Sequence, residues 1–318
     1  MGSQQELSDA LGTVLGGRTI EGLRRLSGGA SRETWSFTAD GERLILQRER
    51  GSAGSKLRRS MVEEGRIIEA AAAVGVPVAP LVASGDASSP LGAEFLVVGH
   101  VDGETIARKL LRDDEYAAVR PQLAAQLGAI LASVHRIPLE VGETLDEPDQ
   151  VEQYTQILDL LGEPHPALEL GLRWLDRNRP PSGGTAIVHG DFRTGNLIID
   201  PTGVRAVVDW ELVHRGDPVE DLGWLCVKAW RFGSPHPAGG FGSREELVGA
   251  YEAAGGRTVP LDVLRWWEVL GTVKWGIMCV MQASRHLGGF TRSVELATIG
   301  RRVCENELDV LELLEVEA

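Results

Sequence analysis

The apolar residues of this chain change their period once, near residue 103, and that change restricts the fold more than any other feature. Before it, short runs at 23–26, 33–37, 44–47, 81–83 and 94–98 read as strands. Asp40-Gly41, between the second and third runs, is a strong hairpin signal. Residues 60–74 have helical spacing instead, with Met61, Ile67, Ile68 and Ala71 on one side, and Pro77 and Pro80 close that segment. The result is a small sheet with one helix. Beyond Gly103 the period is helical: Val119, Leu123, Leu127, Ile130, Leu131 and Val134 mark a buried face within 116–136, and 150–162, 166–178, 244–254, 260–286 and 293–315 behave alike. Only 186–210 interrupts, as a pair of β runs. With 318 residues, too many for one small core, the expectation is an α+β chain of two lobes, 1–102 and 103–318, facing each other across a cleft.

The β interruption carries the chemistry. Its sequence HGDFRTGN at 189–196 places Asp191 and Asn196 five residues apart, and Asp209 follows thirteen residues later at the end of the next apolar run. Phosphoryl transfer needs little covalent help; it needs an aimed nucleophile and neutralised phosphate charge. In the kinase pattern H-R-D-x-x-x-x-N the Asp receives the hydroxyl proton, while the Asn and a later Asp hold magnesium. Asp191, Asn196 and Asp209 fill those places. His189 is placed to brace the loop, and Arg193 either offsets phosphate charge or is a solvated loop cation. The competing account is a polar turn followed by an unrelated strand, since Asp, Gly, Thr and Asn are all common in turns.

A phosphate site needs further parts. Ser27-Gly28-Gly29-Ala30-Ser31 stands between two strands, where backbone N–H groups of Gly28, Gly29, Ala30 and Ser31 can approach phosphate oxygens, although a glycine-rich hairpin is often only a turn. Glu64, in the first turns of the helix, is the candidate carboxylate to pair with a third-strand cation. Where that strand should carry lysine the chain has Gln47, with Arg48 one residue later. Alternation sends the two to opposite faces, so Arg48 contacts phosphate only across a bulge, and Gln47 competes for the place.

With these motifs in hand the chain resembles the aminoglycoside phosphotransferase family, small-molecule relatives of the protein kinases with a bilobal fold, over roughly residues 20–315. The H-G-D-x-x-x-x-N loop is met at 189–196, the D-x-[DE] segment by Asp209-Trp210-Glu211, and the G-D-P-x-x-D-L segment at 216–222. The last implies that Asp221 steadies the catalytic region. More narrowly, the surroundings of these motifs are similar to kinase-like domains fused to some acyl-CoA dehydrogenases. The resemblance implies ATP or GTP as donor, Mg2+, a small-molecule alcohol as acceptor (hydroxyacyl-CoA among the alternatives), and base contacts from the linker Val98, Gly99, His100 and Val101. His100 reads equally as an exposed loop residue. In such relatives the third-strand cation is often arginine, from which Gln47 departs.

Composition bears on partners. A formal charge of −14 argues against nucleic acid or an anionic membrane surface. Cys226, Cys279 and Cys304 are widely spaced and suggest neither disulfides nor zinc. The most apolar stretch, 70–83, is interrupted by prolines and too short to span a bilayer, and no secretory leader opens the chain. The expectation is a soluble, cytoplasmic protein. Trp224, Trp230, Trp266, Trp267 and Trp275 are either helix packing or the wall of an acceptor pocket. Glu211, Glu220 and Glu268 could favour an amine-rich sugar. Two rival readings stand beside the kinase: a nucleotide-binding pseudokinase, favoured by Gln47, and a metal hydrolase using Asp191 and Asp209, which explains neither the glycine turn nor the linker.

Overall fold

Five antiparallel strands occupy the first hundred residues of the computed structural model, which describes residues 4–26, 32–49, 60–290 and 292–315. They are β1 (Ile20–Arg25), β2 (Arg32–Ala39), β3 (Glu42–Glu49), β4 (Leu81–Gly85) and β5 (Phe95–Gly99), in the order β1-β2-β3-β5-β4. The β2–β3 hairpin turns at Asp40 and Gly41 with φ of 49° and 83°. Two consecutive positive φ values match the right-handed twist of the strands. Period 2 then sorts the side chains. Phe37, Ala39, Leu44, Leu46, Phe95 and Val97 bury one sheet face beneath Leu7 and Leu11 of helix α1 (Gln4–Val14), an element the apolar periodicity does not announce because only two leucines make its stripe. Helix α2 (Met61–Ala73) covers the other face, started by Ser60, whose side chain accepts from Val62 N, and by Glu94, which accepts from Met61 N at 2.7 Å.

The chain leaves this sheet after β5 and becomes helical: α3 (Ala107–Arg112), α4 (Leu123–Val134), α5 (Gln150–Leu161), α6 (Pro166–Arg177), α7 (Val219–Cys226), α8 (Arg244–Ala253), α9 (Leu261–Leu287), α10 (Val294–Gly300) and α11 (Val303–Leu313). The fold is thus the α+β bilobal kind expected, a small antiparallel sheet lobe and a larger helical part. The single helix expected over 293–315 is divided into α10 and α11. Residues 186–216 form two separate ribbons instead of one, β6 (Ala186–Val188) with β9 (His214–Gly216), and β7 (Leu197–Asp200) with β8 (Gly203–Val207).

Helix α9, about 40 Å long at 1.5 Å per residue, is the axis of the helical part, with α5, α6, α7, α10 and α11 against it. Gly223 sets its distance from α7: a Cβ there would sit 2.5 Å from the Cβ of Trp267. That close approach brings Trp224 and Lys274 to the loop after β6. A backbone bond ties the two parts together, Val207 N to Pro77 O at 2.8 Å, and just beyond the sheet lobe Glu104 pairs with Ile199 in both directions.

Candidate active site

The loop after β6 is held from behind. Strand β6 is fully buried, and it delivers His189, Gly190 and Asp191 to the surface of the helical part. Asp221, itself fully buried on α7, accepts from His189 N at 2.8 Å and Gly190 N at 3.0 Å, and His135 Nε2 lies 3.2 Å from the same carboxylate. Gly190 has φ of 78°, and a Cβ there would meet Leu212 O at 2.4 Å. Only glycine combines that left-handed backbone with that approach. Val219 N donates to Asp217 Oδ1 at 3.0 Å, so Asp217 caps the start of α7 as its position before Pro218 suggests.

His189 is buried, and its ring has both nitrogens engaged: Nδ1 accepts from Asp191 N at 3.2 Å and Nε2 faces Val208 O at 3.1 Å. The two partners select the Nε2–H tautomer, and burial pushes the ring's pKa down. The histidine joins the loop to the β7–β8 ribbon and has no free lone pair to act as a base.

Asp191 is half-buried, with both carboxylate oxygens engaged. Oδ1 accepts from Trp224 Nε1 at 2.9 Å and from Arg193 Nε at 3.1 Å, and Oδ2 accepts from Asn196 Nδ2 at 2.6 Å. Asn196 Nδ2 also reaches Asp191 O at 2.9 Å, and Asn196 O accepts from Val208 N at 3.0 Å, one residue before Asp209. Asp209 adopts a left-handed backbone, φ 62° and ψ 61°, and is open to water while densely surrounded by protein. That crowding, with Glu211 and Asp191 as like charges, pushes its carboxyl pKa up. Asp191, Asn196 and Asp209 therefore come together, as their spacing suggests. Among the described residues no three His, Cys, Asp or Glu side chains form a closed metal cage.

The tryptophans divide. Trp224, Trp230 and Trp275 stack in series with centroids 5.1 and 4.8 Å apart. Arg193 lies over Trp230 at 4.9 Å and Lys274 over Trp224 at 4.7 Å. These three are packing that also backs Asp191, while Trp266 and Trp267 belong to the helical core. Lys274 Nζ donates to Gly190 O and Glu220 Oε1, each at 3.3 Å, a contact that spacing alone could not reveal. Although burial raises it, the Glu220 carboxyl is drawn down to about 2 by His214 and Lys274. The expected role of Glu220 and Glu268 in attracting an amine-rich sugar is corrected here. Glu220 is neutralised by Lys274 and His214, and buried Glu268 by Arg231 at 2.6 Å and Arg244 at 2.8 Å.

The sheet lobe brings a second correction. Gln47 faces the cleft, in a narrow recess of about 40 Å³ that also includes Glu64, Val98, Val208 and Asp209. Arg48 points to the opposite face and pairs with Glu33 at 2.9 Å, because the β2–β3 register is regular and no bulge turns it. The cation on Glu64 is Arg32, the first residue of β2. Its Nη1 and Nη2 donate to Glu64 Oε1 and Oε2 at 3.1 and 2.7 Å, and its Nε lies 3.6 Å from Glu211 Oε2. Both residues are buried. In the linker, Gly99 N donates to Pro80 O at 2.8 Å and His100 N to Arg43 O at 3.0 Å, so both donors serve the lobe itself, and the His100 side chain is exposed. Val101 follows, half-buried. Gly28, Gly29, Ala30 and Ser31 lie outside the described residues.

A model of the APH phosphotransferase enzyme family matches residues 22–267. The chain belongs to that family. Among curated proteins it is 28% identical over 220 residues to acyl-CoA dehydrogenase family member 10 of Mus musculus, covering 64% of this chain and 20% of that protein. It thus spans about a fifth of that relative's length. A solved structure from Ralstonia eutropha JMP134, described as a candidate aminoglycoside phosphotransferase, superposes with TM-score 0.78 at 23% identity over 98% of both chains. Spectinomycin phosphotransferase APH(9)-Ia, solved with ADP and spectinomycin, gives 0.68 at 13% identity over 99% of both. At these identities the solved structures establish the phosphotransferase fold. No helix among the described residues is long and apolar enough to cross a membrane.

Proposed function

We propose that this phosphotransferase moves the γ-phosphoryl group of ATP or GTP to the hydroxyl of a small molecule, with Asp191 as the proton acceptor. The observation that carries the reading is the set of donors on Asp191. Trp224, Arg193 and Asn196 fix both oxygens and aim the carboxylate. As the acceptor oxygen bonds to the γ-phosphorus and the bond to the bridging oxygen breaks, the hydroxyl proton passes to Asp191 and the nucleoside diphosphate leaves.

Asn196 and Asp209 fit magnesium. Both offer oxygen, and Asn196 turns its amide nitrogen to Asp191, which assigns its carbonyl oxygen to the cation. Asp209 stands among carboxylates that a divalent cation would relieve. Magnesium is commonly held by one or two carboxylates with phosphate and water completing the shell, so a closed protein cage is not required. When bound, the ion supplies neutralisation of phosphate charge. His189 braces the loop, Arg193 stands beside the reacting centre, and Gly28 to Ser31, with Val98 to Val101, are assigned to the nucleotide. We place the division between lobes at residues 102 and 103. The acceptor class draws on the acyl-CoA dehydrogenase relative, which puts hydroxyacyl-CoA first among the alcohols to be tried.

The test is release of ADP or GDP by purified protein with Mg-ATP or Mg-GTP, alone and with hydroxyacyl-CoAs, choline-like alcohols, sugars and aminoglycosides. One acceptor class should raise nucleoside diphosphate formation about tenfold or more over acceptor-free hydrolysis, in line with the weight of an aligned nucleophile. Magnesium-dependent nucleotide binding without turnover on any acceptor would leave the pseudokinase instead. A further prediction concerns Trp224 as a positioning residue. Trp224→Phe removes one hydrogen bond to a charged acceptor, a loss of roughly 1.5–3 kcal/mol, so kcat should fall roughly ten- to a hundredfold with the nucleotide KM nearly unchanged. A kcat within twofold of the parent would remove Trp224 from the mechanism.

A further inference from the structure

We propose that the phosphate-facing cation of this site has moved from strand β3 to strand β2, where Arg32 takes the place left by the uncharged Gln47. The inference rests on the phosphotransferase reading above and concerns which residue of this chain meets the nucleotide.

The two strands are paired in register, Thr34 with Gln47 and Arg32 with Glu49. Because strand side chains alternate, Gln47, Thr34 and Arg32 share the cleft face, and Arg32 lies one same-face step from Thr34, roughly 7 Å along the strand. Arginine's long side chain spans that step and arrives on Glu64 of α2 from β2. Arg48 cannot do so, since its parity sends it to Glu33 on the α1 side.

A purely structural ion pair accounts for only part of this geometry. A guanidinium has five N–H donors, and Glu64 takes two of them, which leaves Nε–H and one hydrogen on each terminal nitrogen. Of these, Nε lies 3.6 Å from Glu211 Oε2, and Arg32 is close enough to Asp209 for their charges to interact. Among the described residues the four carboxylates Glu64, Asp191, Asp209 and Glu211 are set against the guanidiniums of Arg32 and Arg193, with Lys274 near Asp191 as a third cation, so an incoming triphosphate meets a net negative site. Without Arg32 the sheet-lobe side of this group would hold no positive charge among its described members. Planar guanidinium suits bidentate phosphate recognition, and the Glu64 pair holds it in one orientation.

The experiment measures binding of the non-hydrolysable analogue AMP-PNP, with magnesium, to the full chain by calorimetry and by thermal shift. Arg32→Gln should weaken AMP-PNP binding about tenfold or more, as expected for loss of a charge-assisted contact, and Gln47→Lys in the Arg32→Gln background should recover most of it. Arg48→Ala should stay within about threefold of the parent. Since Arg32→Gln alone strands a buried carboxylate, the pair Arg32→Gln with Glu64→Gln is measured alongside, and it should show the same weakening in a folded protein. Unchanged affinity in the folded double variant overturns the proposal, as does an equal loss in Arg48→Ala. Should the parent bind neither AMP-PNP nor its guanine counterpart GMP-PNP, the nucleotide reading fails first and takes this inference with it; a parent that binds either while Arg32 proves irrelevant sinks only the inference.

Discussion

Asp191→Asn will lower turnover by about two to four orders of magnitude, the range expected when a positioned general base is removed, while nucleotide affinity changes little. The substitution keeps shape and volume. The amide oxygen can still accept from Trp224 Nε1 or Arg193 Nε, so the loop retains much of its support. What is lost is the charge that receives the proton and pairs with Arg193. Single-turnover measurement at saturating nucleotide separates this from a binding defect. Turnover within tenfold of the parent would mean that the proton leaves by another route, and the assignment of Asp191 would have to be withdrawn.

Asp221→Ala will destabilise the protein by about 3–5 kcal/mol, the size expected when a buried charged partner is removed from the groups it satisfies. Its two oxygens accept from the backbone of His189 and Gly190, and His135 joins one of them. Alanine leaves two buried N–H groups without acceptors at the root of the catalytic loop. Urea unfolding should show a lower midpoint with an unchanged slope. Asp221→Asn should recover part of the loss, because its one amide oxygen can still accept. A change below about 1 kcal/mol would show that water or a shifted backbone satisfies those groups. Activity should fall in parallel, since the same bonds aim Asp191.

The two substitutions act at different levels. On the proposed reading Asp191 acts in the chemistry and, being half-buried, contributes little to the fold. Asp221 carries no chemistry and contributes much to stability, being fully buried beneath the loop. Trp224 lies between: it sits on the same helix as Asp221 and donates to Asp191, so the short helix α7 both anchors the loop and orients its carboxylate.

How far the sequence alone revealed this site follows the distance over which each contact acts. The loop at 189–196 and Asp209 are legible because their geometry is local: a buried strand, a left-handed glycine, and a ribbon returning within twenty residues. Asp40-Gly41 is legible for the same reason. Helix α1 is not, since two leucines give too faint a stripe to separate helix from tail. Lys274 gave no signal of its own, and nothing local announced the bond from Trp224 to Asp191, as the two reach the loop from 84 and 33 residues away.

Arg48 and Arg32 show the limit most clearly. Both lie near the expected cation position, and the order of residues fixed that β2 and β3 form a hairpin, that a carboxylate follows on a helix, and that an aspartate and an asparagine share a loop. Which arginine meets Glu64 was decided only by register. Pairing sets the parity of every side chain in a strand, and parity is a property of two strands packed between helices, invisible to either strand read singly. Likewise Glu220 and Glu268, free charges on paper, are neutralised by basic partners contributed from other elements of the helical part. Local backbone preference and motif spacing determined where the loop with Asp191 and Asn196 lies; burial and long-range pairing determined which charges around it are neutralised.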